Sequence, residues 1–241
     1  MLKAVIFDMD GVLLDSESIH YEILRDMMAR RGFSYTTEHL HRYCGVPEEQ
    51  MWPQLLREAG LLRESPLALQ REHWERYEWR IRSEGLPKFP GTKELLESLR
   101  NAGYRLAVAS ASPTALILQN LCALRLDGFF DKIASAQECG DRGKPEPDVF
   151  LLAAGKLETA PEDCLVVEDS ANGMTAAYRA GMKWVGFDGA RVKPDMRRAV
   201  FAFSDYRTVS PERFRHWYEH FPSSGELERK FGGTAAKEGI L

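Results

Sequence analysis

Short apolar runs recur along the chain, each followed by Gly, Ser or Asp and then by a stretch whose apolar residues fall at helical spacing. That alternation predicts a parallel sheet whose strands are joined by crossover helices. The clearest strand runs are Lys3 to Phe7, Arg105 to Ala109, Cys164 to Val167 and Trp184 to Phe187, with weaker ones at Lys132 to Ser135 and Ala199 to Phe203. Between them the pattern predicts helices over Lys93 to Ala102, Thr114 to Leu121, Asp148 to Lys156 and Gly173 to Ala180, two of them stopped by Gly103 and Gly181. From about Ser16 to Leu86 the rhythm changes. Ile19, Ile23 and Met27, then Met51, Leu55 and Leu56, then Trp74, Tyr77 and Ile81 mark apolar helix faces, so this interval reads as a helical insert. We read Trp74 and Tyr77, with Trp79 nearby, as its aromatic core. The Pro- and Gly-rich exit around Pro87 and Phe89-Pro90-Gly91 suits a hinge, and residues beyond Pro222 suit a loosely held tail with room for one short helix.

The 241 residues are 44% hydrophobic, enough for one substantial core carrying a smaller insert. With 32 basic against 36 acidic residues and a net charge of -4, the chain has no broad field for a polyanion, so no nucleic-acid partner is expected. The apolar start, Leu2 to Phe7, is cut off by Asp8 and Asp10, too short to span a membrane and lacking a signal-peptide cleavage site. Cys44, Cys122, Cys139 and Cys164 are dispersed, without a CxxC pair, which fits a reducing, cytoplasmic setting. No apolar seam suggests a partner subunit, and a monomer is expected.

Chemistry concentrates where strands end. Asp8 and Asp10 follow the first strand, in the position where open α/β sheets bind ligands. Anions crowded there need a cation or a proton to hold them. A second acidic pair, Glu168 and Asp169, follows Leu165-Val166-Val167; if the two strands are neighbours, the carboxylates converge. Oxygen ligands from Asp8, Asp169 and a backbone carbonyl match magnesium better than calcium. Ser110, the amides of Ala111 and Ser112, and Lys144 in a proline-bracketed turn supply donors and positive charge for a phosphate. Taken singly, Ser110 reads as a helix cap and Lys144 as a solvated loop residue.

In order, Asp8-Met9-Asp10-Gly11, Ser110, Lys144-Pro145 and Glu168-Asp169 closely resemble the four motifs of the haloacid dehalogenase superfamily of phosphatases and phosphomutases, over the chain up to about Phe221. The resemblance implies a Rossmann-like core of residues 1–14 and 88–221, a small helical cap of the C1 type over 15–87, and a tail over 222–241. It implies magnesium bound by Asp8, Asp169, the carbonyl of Asp10, and Glu168 directly or through water. Asp8 is then the nucleophile that becomes an aspartyl-phosphate, Asp10 the acid and base, and Ser110, Ala111 and Lys144 the grip on the transferred group.

The opening of the cap, Asp15 to His20, resembles the β-phosphoglucomutase-like subfamily, where His20 would couple cap closure to Asp10; an ordinary helix histidine is the plainer reading. A mutase must also hold a second phosphate, which β-phosphoglucomutases do with an arginine shortly after a Gly-Val pair in the cap, and Arg42, Arg71 or Arg76 are the other cap cations available for it. Here Gly45-Val46 is followed by Pro47-Glu48-Glu49, two acids and no cation. The expectation is therefore a phosphatase acting on a small sugar or polyol monophosphate, with Cys44, Gly45, Val46 and Glu48 as the specificity loop and a β-phosphoglucomutase-type mutase as the alternative. A non-catalytic phosphate-binding module would be expected to have lost a motif residue, and none is lost. A phosphonate hydrolase of the same superfamily would need a cap lysine, and residues 16–86 contain none.

Overall fold

A computed structural model describes residues 1–43, 48–140, 142–190 and 196–235. They divide into two compact units, one of Met1–Asp15 with Pro87–Leu241 and one of Ser16–Leu86. The division expected at 14/15 and 87/88 lies one residue away on each side.

In the larger unit β1 (Ala4–Phe7), β2 (Arg105–Ser110), β3 (Lys132–Ser135), β4 (Cys164–Glu168), β5 (Lys183–Phe187) and β6 (Ala202–Phe203) form one sheet in the order β3-β2-β1-β4-β5-β6, every pair parallel. All four residues of β1 are buried, as expected of a strand covered on both faces. It lies between β2 and β4 in matching register, with Phe7 opposite Val108 on one side and Val167 on the other. The neighbours that the acidic pairs required are thus adjacent. The last strand run is shorter than the sequence pattern suggests, since only Ala202 and Phe203 pair.

Helices α5 (Thr92–Asn101), α6 (Thr114–Leu124), α7 (Asp148–Lys156), α8 (Ala171–Arg179) and α9 (Pro211–Glu219) cover the sheet. Ala4 and Ile6 of β1 face a cluster with Phe150 and Ala153 of α7 and Met174 and Ala177 of α8. The tail contains the one helix for which its sequence had room, α10 (Ser224–Ala235), and Leu227 of that helix is buried against the cluster beside Phe231. Two apolar residues four apart give the helix a face to dock, which the Gly- and charge-rich composition obscured.

The smaller unit is helical: α1 (Ser16–Ala29), α2 (Thr37–Tyr43), α3 (Glu48–Glu58) and α4 (Pro66–Glu84). Ser65 caps α4, accepting the Ala68 amide. Its buried stripe is Leu69, His73 and Tyr77, at i, i+4 spacing. The expected aromatic core is therefore corrected: Tyr77 is buried, but Trp74 is 38% and Trp79 66% exposed, because they lie off that stripe. Among the described residues no helix is long and apolar enough to cross a membrane.

Candidate active site

The end of β1 is tied to β4, the Asp8 amide donating to the Val167 carbonyl at 3.0 Å. The chain then turns sharply, with the Leu13 amide donating to Met9 O and the Gly11 amide to Leu14 O, both at 2.8 Å. Gly11 has a φ of +75°, and a Cβ there would lie 1.8 Å from Asp169 Oδ2. Only glycine lets the first loop and Asp169 share this space. Gly11→Ala should therefore displace Asp169, lower the melting temperature by several degrees, and weaken activation by a divalent metal at least about tenfold, read from metal titrations of activity.

From the other side of the loop, the buried Tyr206 hydroxyl donates to Val12 O at 2.7 Å. Burial, together with the charges of Asp169 and Asp8, pushes its phenol well above the usual range, so it remains a donor.

Lys144 binds the two acidic segments together. Its ammonium lies 2.6 Å from Asp8 Oδ1 and 2.5 Å from Glu168 Oε1. Burial alone would lower its pKa, but the two carboxylates outweigh this and raise it, so it stays charged. Asp8 is pushed up to about 7, chiefly by burial, with Glu168 and Asp10 adding to the rise and Lys144 opposing it. Glu168 is fully buried and also accepts from the Ser170 amide at 2.7 Å and the Ser170 hydroxyl at 3.0 Å. Its carboxylate occupies the space where a Cβ on Gly173 would fall, 1.8 Å from Oε1. Ser170 also caps α8 by accepting the Gly173 amide at 2.9 Å, so the helix start fixes the acidic loop.

Asp8, Glu168 and Asp169 each place one carboxylate oxygen within 4.8 Å of the others, the donor set of a hard divalent cation. The Asp10 carboxylate is not in this group; its Oδ2 accepts from Ser112 Oγ at 3.3 Å. Ser110 ends β2 and is buried, with Ala111 exposed just beyond it. The Ser112 amide donates to Ser110 Oγ at 3.0 Å, closing a local turn.

Residues 5–187 match the haloacid dehalogenase-like hydrolase family. The chain belongs to that family. Over 182 residues it is 35% identical to the phosphorylated carbohydrates phosphatase of Thermotoga maritima, covering 76% of this chain and 83% of the relative. It is 31% identical to the β-phosphoglucomutase of Bacillus subtilis over 192 residues, 77% of this chain and 83% of the other. Among solved structures, a conserved haloacid dehalogenase-like protein of unknown function from Agrobacterium tumefaciens superposes with a TM-score of 0.75 at 27% identity, over 86% of this chain and 95% of that one. This haloacid dehalogenase-like hydrolase is thus an enzyme of the phosphoric monoester hydrolase class.

In the helical unit of this hydrolase, Cys44, Gly45 and Val46 lie outside the described residues. Glu48 and His20 both line a cavity of about 200 Å³, with Glu17, Tyr43, His73 and Trp74 among its other walls and, among the described residues, neither Lys nor Arg lining it. Glu48 Oε2 accepts from Gln70 Nε2 at 2.6 Å and Trp74 Nε1 at 3.0 Å. His20 Nδ1 is 3.1 Å from His73 Nε2, and its ring stacks on Tyr77 with centroids 4.5 Å apart. Burial, and then the neighbouring His73, lower the His20 pKa to about 3. Burial lowers that of His73 to about 4 against the opposing pull of Glu48. Both imidazoles are neutral at pH 7. The sequence reading missed His73; the i, i+4 rhythm through Leu69 and Tyr77 is the signal that would have found it.

Proposed function

We propose that this hydrolase is a magnesium-dependent phosphatase, acting as a monomer on a small sugar or polyol monophosphate through an aspartyl-phosphate on Asp8. The observation that carries the reading is the convergence of Asp8, Lys144, Glu168 and Asp169 on adjoining strand ends, with Asp10 two residues from Asp8.

The donor set suits magnesium, since every contributing atom is a carboxylate oxygen and the group is compact. Asp8 and Asp169, with the Asp10 carbonyl, would hold the ion; Glu168, already engaged by Lys144 and Ser170, braces them. Bound there, magnesium supplies positive charge to the phosphoryl oxygens and favours the ionised form of Asp8.

The chain's own residues carry the rest. Asp8 attacks phosphorus as the ester oxygen departs, and Asp10 gives that oxygen a proton. Asp10 then takes a proton from the water that releases phosphate and restores Asp8. The Ser110 hydroxyl, the Ala111 amide and Lys144 receive the phosphoryl oxygens, so the negative charge is met as it redistributes.

Hydrolysis is favoured over mutase chemistry by the cap cavity. Among the described lining residues, two carboxylates, two neutral histidines and no Lys or Arg offer a second phosphate repulsion and no counter-charge. Phosphorus NMR of the protein with magnesium and a pool of sugar and polyol monophosphates, including β-glucose 1-phosphate, tests this. Inorganic phosphate should grow as one ester disappears. Glucose 6-phosphate appearing from β-glucose 1-phosphate would establish the mutase, and an unchanged spectrum would contradict both.

A further inference from the structure

Ser112 has no role in the chemistry above, yet its polar groups are engaged on three sides. Its hydroxyl donates to Asp10 Oδ2 at 3.3 Å, its amide donates to Ser110 Oγ at 3.0 Å, and its carbonyl accepts from Ser135 Oγ at 2.7 Å. Ser135 is fully buried at the end of β3. Its amide donates to Glu138 Oε1 at 3.1 Å and its hydroxyl accepts the Gln137 amide at 3.2 Å, a reciprocal cap that holds its rotamer. Glu138 is in turn fixed by Lys156, whose ammonium lies 2.6 Å from Oε2. A continuous run of hydrogen bonds therefore leads from the edge strand of the sheet, across the end of β2, to the carboxylate that follows β1.

We propose that Ser112 is a positioning residue for proton transfer by Asp10, itself held in place by Ser135. This rests on the reading of Asp10 as acid and base. A hydroxyl donating to Oδ2 helps to set the plane of the carboxyl group, with Oδ1 as the proton-bearing oxygen. In the first half-reaction an Asp8 oxygen bonds to phosphorus, the bond from phosphorus to the leaving oxygen breaks with its electron pair, and the Oδ1 proton passes to that oxygen. In the second, the water oxygen bonds to phosphorus, the Asp8–phosphorus bond breaks with its pair returning to Asp8, and a water proton passes to Oδ1. One oxygen must face the same point twice, and a carboxyl whose plane is less firmly set would meet it less often.

At 3.3 Å the contact is longer than the usual range of about 2.5–3.0 Å for a hydroxyl donor, so it is a weak bond that biases the carboxyl rather than locking it. It also separates this role from phosphate binding, because the bond goes to Asp10 and not into the phosphoryl grip.

The test compares two esters in single turnovers of the whole protein with magnesium. One is an alkyl phosphate such as glycerol 2-phosphate, whose alkoxide needs a proton to leave; the other is p-nitrophenyl phosphate, whose phenolate leaves without one. Ser112→Ala should slow the alkyl ester by about 10- to 100-fold and the aryl ester by no more than about 3-fold, a part of the roughly 10²- to 10⁴-fold that general acid catalysis contributes. Ser112→Thr should return the alkyl rate to within about 3-fold of the original, since it restores the hydroxyl. Ser135→Ala should shift the ratio in the same direction by a smaller factor. The ratio of the two rates does not depend on how much of a variant is folded. Equal losses on both esters, or none, would overturn the proposal. Asp10→Asn is the control: if it too slows both esters equally, the reading of Asp10 has failed, and not that of Ser112 alone.

Discussion

Asp8→Asn should reduce phosphate release by about 10⁴-fold or more, because a carboxamide cannot form the acyl phosphate and no neighbouring carboxylate stands in the same place. Without metal, the same variant should be more stable than the parent at pH 8. Asp8 moves from a usual value of 3.8 to about 7 in the folded protein. The fold therefore holds the Asp8 proton more tightly than the unfolded chain does. This group stabilises the fold least when ionised, and its contribution is lost as the pH rises from about 4 through 7. Asn cannot ionise, so the variant escapes the loss. Thermal melts in chelator should place it a few degrees above the parent at pH 8, with the gap closing as the pH falls towards 4. A variant that melts lower at pH 8 would mean that the Lys144 contact outweighs the burial of charge.

Lys144→Met should be the most damaging single change to the folded protein. It leaves Asp8 and Glu168 buried without the ammonium 2.6 and 2.5 Å away, and breaking a buried pair on one side costs about 3–5 kcal/mol. The destabilisation should be largest at alkaline pH and ease as the pH falls through about 7, where Asp8 takes up its proton. Turnover should fall by about 10²- to 10³-fold in whatever fraction folds, the loss typical of removing one donor to developing charge. Denaturant melts across pH, paired with turnover per folded molecule, separate the two effects. A variant with unchanged stability and depressed turnover would make Lys144 a phosphate ligand alone.

Much of this was legible because the parallel sheet writes a regular signal. A strand buried on both faces reads as an unbroken apolar run, and the polar residue that ends it stands out, as Asp8 does after Ala4 to Phe7 and Glu168 after Leu165 to Val167. What stayed hidden arises from neighbours distant in sequence. The need for glycine at 11 comes from Asp169, and that close approach does not exist until β1 and β4 pair. The Ser135 to Ser112 contact likewise requires β3 beside β2. In the helical unit the aromatic pattern misled, since Trp74 and Trp79 sit beside the stripe that Leu69, His73 and Tyr77 occupy. The docking of α10 turned on two apolar residues within a polar stretch, Leu227 and Phe231.

The central claim is that Asp8 itself carries the phosphoryl group. Rapid acid quenching of the protein with magnesium and a ³²P-labelled phosphate ester, followed by proteolysis, tests it most directly. The account predicts one labelled peptide, containing Asp8, stable in acid and lost in mild alkali or hydroxylamine, and absent from Asp8→Asn. Hydrolysis at the full rate with no covalent label at any quench time, or label retained when Asp8 is replaced, would contradict it.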